Sequence, residues 1–219
     1  MIIEIIGLPG VGKTSIIKNL QHDNNFKDKI VFIGKKKCIY GSGVIEVFKF
    51  YIRLIFFYSK IVLNIKSSLW LLIQISRRLC NYENDIEGRL CLLNESGILM
   101  PIISFIVQRD KNSYEVDLNK LISALPLPDV VVFVESDVNT IVDRYVNRGG
   151  ILRNGIRDIV IKNTKLYERF LLGDRALSNL QKILMKKKCT IIVVNNDNSE
   201  YEKISSILFH KLDSQLKLG

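Results

Sequence analysis

The chain opens with Met1-Ile-Ile-Glu-Ile-Ile-Gly-Leu-Pro-Gly-Val-Gly-Lys-Thr14, and the last eight of these residues match G-x-x-x-x-G-K-[ST] in full. An apolar, β-branched run precedes the first glycine and predicts a strand, and a segment of helical periodicity follows from Lys13 to Leu20. The glycines let the backbone curl, so we expect amide N–H groups from Gly10 to Ser15 to converge on a phosphate at a helix N-terminus. The stretch predicts a phosphate-binding loop between a first strand and a first helix.

Two side chains of this loop have separate predicted roles. Lys13 is placed to reach the β and γ oxygens of a nucleotide, and the hydroxyl of Thr14 is placed to ligate Mg²⁺ that bridges the same phosphates. The motif does not specify what receives a phosphate. The loop residues expected to bind the nucleotide are Gly7, Pro9, Gly10, Val11, Gly12, Lys13, Thr14 and Ser15.

Four further apolar, β-branched runs occur outward from the loop, at 30–33, 90–93, 130–134 and 190–194. Stretches of helical periodicity separate them, which is the β-α alternation of an α/β protein. Strands that are apolar along their whole length are typical of a parallel sheet that helices bury on both faces. We therefore expect one α/β domain over residues 1–219, since a chain of this length does not hold a second full domain.

The composition narrows the classes of partner. The chain has 32 Lys and Arg against 22 Asp and Glu, a net charge of +10, which favours a polyanionic partner. The basic residues are scattered and no other nucleic-acid motif is evident, so we expect no nucleic-acid partner. Glu4 interrupts the opening apolar run and no uncharged stretch reaches the roughly 18 residues that span a bilayer, which indicates a cytoplasmic protein. The four cysteines form no C-x-x-C pair, so we expect no zinc site.

An acidic residue follows the third apolar run, in Asn94-Glu95-Ser96-Gly97. In P-loop folds the strand beside the first one delivers an acid at its C-terminal end, where Mg²⁺-bound water or the acceptor lies. Glu95 is therefore a candidate magnesium ligand, direct or through water, and a candidate general base on an acceptor hydroxyl. The alternative is a glutamate that the dipole of a helix N-terminus stabilises.

A cluster of arginines follows the fourth run, among glycines at 149, 150 and 155. This pattern predicts a lid over about 148–158 that closes cations over the transferring phosphates, and the alternative is an ordinary basic helix end. After the fifth run, Asn195-Asn-Asp197 is either a loop beside a purine base or a plain polar turn. The arginines expected to act in phosphoryl transfer are Arg148, Arg153 and Arg157.

Residues 44–80 read as two strongly apolar helices with a basic stripe of Lys49, Arg53 and Lys60. They form either a core helix pair with one solvated face or a surface that docks on a membrane or a protein partner. The sequence also leaves open whether the protein forms a homodimer.

Over nearly its whole length the chain resembles the thymidylate kinase-like branch of P-loop nucleoside and nucleotide kinases. Gly7 to Thr14 resembles the ATP-binding loop of that family, and 125–134 with Asp137 and Arg144 resembles its fourth strand and the helix after it. Arg148, Arg153 and Arg157 resemble its lid arginines, and Thr190–Val194 with Asn195 to Asp197 resembles the segment that frames adenine. The resemblance implies a three-layer P-loop fold with a five-stranded parallel sheet in the order 2-3-1-4-5, and ATP with Mg²⁺ as cofactors.

The sequence thus predicts an ATP-dependent small-molecule kinase in which Lys13, Glu95 and the lid arginines act in phosphoryl transfer. Thymidylate kinases place an Asp-Arg pair where this chain has Asn94 to Gly97, and a carboxylate without a neighbouring arginine favours a hydroxyl acceptor over a phosphate. The acceptor classes are nucleosides, nucleotides and sugar-type molecules. The alternative from another class is a nucleotide-binding switch or accessory protein that docks through residues 44–80.

Overall fold

The computed structural model describes residues 1–22, 30–33, 71, 73–75, 78, 90–93, 97–108, 118–123, 125–147, 159–187, 189–198 and 201–216. Five strands lie within these ranges: β1 (Ile2–Ile6), β2 (Ile30–Ile33), β3 (Leu90–Leu93), β4 (Val130–Glu135) and β5 (Thr190–Asn195). The helices are α1 (Lys13–His22), α2 (Leu99–Gln108), α3 (Leu118–Ser123), α4 (Val138–Asn147), α5 (Ile159–Lys186) and α6 (Tyr201–Leu216).

The strands form a parallel sheet in the order β2-β3-β1-β4-β5. β1 lies in the middle, with Glu4 opposite Leu93 of β3 on one side and opposite Val131 of β4 on the other. β5 continues the sheet beyond β4, with Glu135 opposite Asn195 at the carboxyl ends of the two strands. The predicted α/β class with a parallel sheet is confirmed, and the loop after β1 lies at the centre of the sheet's carboxyl edge.

Both faces of the sheet are covered. The residues of β4 from Val130 to Val134 are all buried, although successive side chains of a strand point to opposite faces. Two groups of helices supply the cover: α1 packs against α6, and α5 packs against α2, α3 and α4. Because helices cover the sheet on each side, both sets of side chains of β4 are buried, which explains its continuous apolar sequence.

The long helix α5 buries one stripe of side chains. Five large side chains are buried at spacings of three, four and seven residues, which place them along one side of a helix: Leu166, Phe170, Leu177, Leu180 and Leu184. The ring of Phe170 also meets the ring of Tyr145 on α4 edge to face, with 5.6 Å between their centroids. α5 thus has an apolar side, and it packs against α2, α3 and α4.

The predicted helix pair at 44–80 falls mostly outside the described residues. At its end, residues 71, 73–75 and 78 are helical, and Leu71 and Ile75 are completely buried while Ile73 is exposed. This end of the segment therefore contributes to the core. Within the described helices, none is both long and apolar enough to cross a lipid bilayer.

Candidate functional site

The loop between β1 and α1 adopts a conformation that depends on its glycines. Gly10 and Gly12 have φ of 90° and 100°, a region that residues with a side chain rarely adopt. A Cβ at Gly7 would lie only 2.5 Å from the carbonyl oxygen of Val134 in β4, and one at Gly10 would lie 3.0 Å from the carbonyl oxygen of Ile141 in α4. The glycines of the motif thus permit both the turn and its close packing against neighbouring elements.

The N-terminus of α1 follows this turn directly. The carbonyl oxygen of Gly12 accepts the first helical hydrogen bonds, from Ser15 N at 3.0 Å and Ile16 N at 3.1 Å, and Val11 N donates to the Leu8 carbonyl within the loop. α1 has no acidic residue in its first turn, so no carboxylate competes for the positive end of the helix dipole. The loop and the helix end together favour an anion.

Lys13 folds back over the loop. Its Nζ donates to the carbonyl oxygens of Gly7 at 2.6 Å and of Leu8 at 2.8 Å. Desolvation by burial lowers the pKa of Lys13 to about 8. The ammonium group is therefore held against the loop by two carbonyl oxygens, which are weaker partners for it than a phosphate oxygen would be.

Thr14 is exposed at the mouth of the loop, next to Lys13. A hydroxyl there fits Mg²⁺, which prefers oxygen ligands and keeps several waters while it binds substrate phosphates. Among the described residues, no group of three or more His, Cys, Asp or Glu side chains could hold a metal ion by itself. The described residues thus offer the Thr14 hydroxyl as a single oxygen donor that suits Mg²⁺.

A polar cluster joins the ends of β4 and β5 beside the loop; it comprises Glu135 to Asp137, Arg144 and Asn195 to Asp197. Oδ1 of Asp197 accepts from the Ser136 hydroxyl at 2.8 Å and from Asp137 N at 2.7 Å. Arg144 donates to the carbonyl oxygens of Asn196 at 2.8 Å and Asp197 at 2.5 Å. The hydrogen bond from Asp137 N, with those of the Asn195 and Ser136 side chains, holds the pKa of Asp197 below its ordinary value.

Asn196 ties this cluster to the phosphate-binding loop. The side chain is 1% exposed, and its Nδ2 donates to the Val11 carbonyl oxygen at 2.6 Å. Its backbone N donates to the Glu135 carbonyl oxygen at 2.8 Å, at the end of β4. The loop after β5 is thus fixed to the loop after β1, although the two partners lie 185 positions apart in the chain.

Two carboxylates at the carboxyl edge of the sheet are close enough to influence each other. Desolvation by burial, together with the Asp174 carboxylate of α5, raises the pKa of Glu135. Glu135 therefore holds a proton more readily than an ordinary glutamate does.

The structure brings together part of the predicted site. The phosphate-binding loop is joined to the loop that carries Asn195 and Asp197 through the side chain of Asn196. Asn195 Oδ1 accepts from Asp197 N at 2.8 Å within that loop, whereas the Asp197 carboxylate accepts from Ser136 and Asp137 of the loop after β4. The predicted contact of Asn195 and Asp197 with a base stays a prediction. The remaining predicted site residues, Glu95, Arg148, Arg153 and Arg157, lie outside the described residues.

Sequence reasoning missed two residues of this region, Glu4 and Asn196. Glu4 is completely buried in β1, where its Oε1 accepts from Leu99 N at 3.0 Å. Its signal was visible in the sequence as a charged residue within an apolar strand. The sequence does not distinguish Asn196 from its polar neighbours, because its side chain bonds to the backbone carbonyl of Val11, a group that every residue has.

Comparison with known proteins finds likeness in structure and none in sequence. The chain matches no protein-family model, and no curated protein matches it. A deoxyadenosine kinase from M. mycoides, with products dCMP and dCDP bound, superimposes with a TM-score of 0.60 at 17% identity, covering 98% of this chain and 100% of that one. The same enzyme with bound dATP gives a TM-score of 0.57 at 16% identity, covering 97% and 100%.

A thymidylate kinase from Candida albicans is also similar, with a TM-score of 0.54 at 13% identity, covering 98% of this chain and 91% of that one. At such identities the likeness establishes the fold, and it extends over nearly the whole length of each chain. The chain has the thymidylate kinase-like P-loop fold that the sequence motifs predict.

Proposed function

We propose that this protein is an ATP-dependent kinase that phosphorylates a small molecule of the nucleoside class. The observation that supports the proposal most is the loop geometry: Lys13 folds back over the loop between β1 and α1, and this loop and the N-terminus of α1 lie at the carboxyl edge of a parallel sheet, beside its central strand. Similarity of fold to deoxyadenosine kinase and thymidylate kinase supports the class of acceptor. Between a hydroxyl and a phosphate acceptor we favour the hydroxyl, since Glu95 has no arginine beside it in sequence.

The roles follow from the chemistry of phosphoryl transfer, in which positioning and neutralisation of charge supply most of the catalysis. The loop amides hold the phosphates, and Lys13 leaves the Gly7 and Leu8 carbonyls to bind the β and γ oxygens. Mg²⁺, when it is bound at Thr14, neutralises charge on the same phosphates. We propose Glu95 as the general base or metal ligand.

The remaining proposed roles concern segments that flank the site. The lid at about 148–158 carries Arg148, Arg153 and Arg157, which would stabilise negative charge on the transferred group. Residues 44–80 form the acceptor side of a single domain, and the loop Asn195–Asp197 lies beside the base of ATP.

ADP release from Mg-ATP tests this proposal against a panel of deoxynucleosides, nucleoside monophosphates and sugars. We expect one class of acceptor to stimulate ADP release and Lys13→Ala to abolish the stimulation. Lys18→Ala is the matched control, because Lys18 is an exposed lysine of the same helix. Full turnover by Lys13→Ala would refute the proposal, and nucleotide binding that no acceptor converts to turnover would favour a switch or accessory protein.

A further inference from the structure

Asn196 is a polar side chain that is buried beside the phosphate-binding loop. It follows β5 directly, and only 1% of its surface is exposed. Its Nδ2 donates at 2.6 Å to the carbonyl oxygen of Val11, a residue that is itself completely buried. A hydrogen bond between buried groups is stronger than one in water, because the surroundings screen it less. This contact therefore restrains the Val11 carbonyl.

The backbone of Asn196 is held by two other elements. Its N–H donates to the Glu135 carbonyl oxygen at the end of β4, at 2.8 Å. Its own carbonyl oxygen accepts from Arg144 of α4, also at 2.8 Å. The side chain that reaches Val11 thus starts from a backbone that is fixed on both sides, and Asn196 is placed accurately with respect to the loop after β1.

The carbonyl that Asn196 holds belongs to the peptide unit between Val11 and Gly12. In a trans peptide the C=O and the N–H point in opposite directions, so the orientation of the Val11 carbonyl also sets that of the Gly12 N–H. Gly12 has a φ of 100°, and a glycine adopts positive and negative φ about equally well. The local sequence therefore does not determine the orientation of this peptide, whereas the hydrogen bond from Asn196 does.

The Gly12 N–H lies at the N-terminus of α1. The Gly12 carbonyl oxygen accepts from Ser15 N and Ile16 N, so Gly12 is the N-cap residue of the helix. The first N–H groups of a helix have no partner within it, and together they favour an anion. Asn196 binds the Val11 carbonyl oxygen on one side of the peptide, so the peptide presents its N–H, and not its negative oxygen, on the other side.

Stability alone does not account for an asparagine at this position. The Oδ1 of Asn196 is buried and has no hydrogen-bond partner among the described residues. A buried acceptor without a partner destabilises the fold, which offsets part of what the bond from Nδ2 contributes. What asparagine adds here is a neutral donor that reaches the Val11 carbonyl.

We propose that Asn196 is a positioning residue for phosphate binding, which fixes the Val11–Gly12 peptide so that the Gly12 N–H is available to a phosphate oxygen. The inference rests on the proposed function and deepens it, because it concerns the loop that would hold the phosphates of ATP. Asn196 acts through the peptide unit, and its buried side chain does not contact the nucleotide.

Tripolyphosphate is the probe, since it carries the phosphates of ATP without the base or the sugar. Asn196→Leu keeps the branched shape of the side chain and removes the donor. Asn196→Asp keeps the same shape and replaces the donor with a second acceptor oxygen. Asn198→Leu is the matched control, because Asn198 is an exposed asparagine of the same loop. For each variant we would measure the Kd for tripolyphosphate by calorimetry and the thermal midpoint.

We expect both Asn196 variants to bind tripolyphosphate roughly tenfold more weakly or worse, the effect of losing one hydrogen bond to a charged group. Asn198→Leu should stay within about twofold of the unmodified protein, as exposed substitutions usually do. Leucine preserves the packing, so an unchanged Kd in Asn196→Leu would overturn the proposal. If Asn196→Leu does not fold, Asn196→Asp provides the test; if neither variant folds, the role is structural and the proposal is overturned.

The amide proton of Gly12 provides a signature that a purely structural role would not change. A hydrogen bond to an anion moves an amide proton downfield, so tripolyphosphate should shift the Gly12 signal in the magnetic resonance spectrum of isotope-labelled protein. We expect this shift in the unmodified protein and in Asn198→Leu, and a much smaller one in Asn196→Leu. An equal shift in Asn196→Leu would show that the peptide keeps its orientation without Asn196.

This test is separate from that of the proposed function, because tripolyphosphate binding needs no acceptor. If the protein binds tripolyphosphate through Asn196 but phosphorylates no acceptor, the proposed function fails and this inference is supported. If an acceptor is phosphorylated and Asn196→Leu binds tripolyphosphate as well as the unmodified protein does, the reverse holds. Failure of the unmodified protein to bind tripolyphosphate would also overturn the inference.

Discussion

At the scale of single residues, Lys13 is where motif and geometry agree most closely. Its ammonium donates to the Gly7 and Leu8 carbonyl oxygens, and desolvation lowers its pKa to about 8. The positive charge is thus less stable in the folded protein than in water, and a phosphate oxygen would be a stronger partner than either carbonyl. Nucleotide binding should therefore depend on this side chain while folding should not.

We predict that Lys13→Met folds with a thermal midpoint near that of the unmodified protein. Removal of a desolvated charge stabilises the fold and loss of two hydrogen bonds destabilises it, so the two effects oppose each other. Without the cation, ATP should no longer raise the midpoint. Thermal unfolding with and without Mg-ATP measures both quantities, and Lys18→Met should keep the full response to ATP. An undiminished ATP-induced increase in Lys13→Met would contradict this account of the loop.

Single residues also show which contacts can be predicted from a sequence and which cannot. The motif Gly7 to Thr14 predicts the loop and the direction of Lys13, because turn, helix end and cation are adjacent in sequence. The sequence shows only that Glu4 is a charged residue within an apolar strand. It does not predict the hydrogen bond from Leu99, which lies 95 residues away. A hydrogen bond between distant residues leaves no periodicity that a single sequence can reveal.

At the scale of elements, the loops after β4 and β5 behave as one unit. Asp137 accepts from Asn139 N at 2.9 Å and Thr140 N at 3.2 Å and so caps α4, while its own backbone N donates to Asp197. Arg144 of the same helix donates to the loop after β5. Asp197 thereby links a helix start to a strand end through charge-assisted hydrogen bonds.

We predict that this link depends on pH through Asp197. Its pKa is lowered from the ordinary value of 3.8 in the folded state, so the stability that it contributes is full above pH 3.8. That contribution is lost as the pH falls below 3.8 through the native pKa. Asp197→Asn should therefore be less stable than the unmodified protein by the same amount at pH 7 and pH 5, and by less at pH 3.

Urea unfolding at these three pH values provides the measurement. Asp143→Asn, which removes an exposed carboxylate of α4, controls for the change in net charge. A stability difference for Asp197→Asn that grows as the pH falls from 5 to 3 would contradict the predicted sign.

The positions of the strands could be predicted closely from sequence. Apolar, β-branched runs at 130–134 and 190–194 correspond to strands Val130–Glu135 and Thr190–Asn195. A strand that is buried on both faces of a sheet is apolar along its whole length, so a continuous apolar run predicts such a strand directly. The apolar pattern ends one residue before each strand does, because Glu135 and Asn195 have polar side chains although their backbones pair with each other.

At the scale of the whole molecule, the order of the strands determines which loops meet. β1 lies between β3 and β4, so the phosphate-binding loop begins between the carboxyl ends of these two strands. In open parallel sheets ligands bind at the carboxyl ends of the strands, where the strand order reverses direction. Distant polar segments, from Gly7 to Asp197, come to one edge of the sheet for this reason.

The charge of the whole chain is consistent with an anionic ligand but does not identify it. A net charge of +10 raises the local concentration of any polyanion. The proposal of a nucleotide ligand rests on the loop, and the proposal of kinase activity rests on the loop within this fold. The acceptor could not be read from sequence, because no local pattern encodes the shape of its pocket.

Transfer of the labelled γ-phosphate of ATP to a deoxynucleoside tests the central claim most directly. The protein would be incubated with Mg²⁺, labelled ATP and each of the four deoxynucleosides, and the products separated by chromatography. We predict that label appears in a deoxynucleoside monophosphate in a one-to-one ratio with ADP, and that Lys13→Ala forms none. Label that remains in ATP, or that appears only as inorganic phosphate with every deoxynucleoside, would contradict the proposal that this protein is a nucleoside kinase.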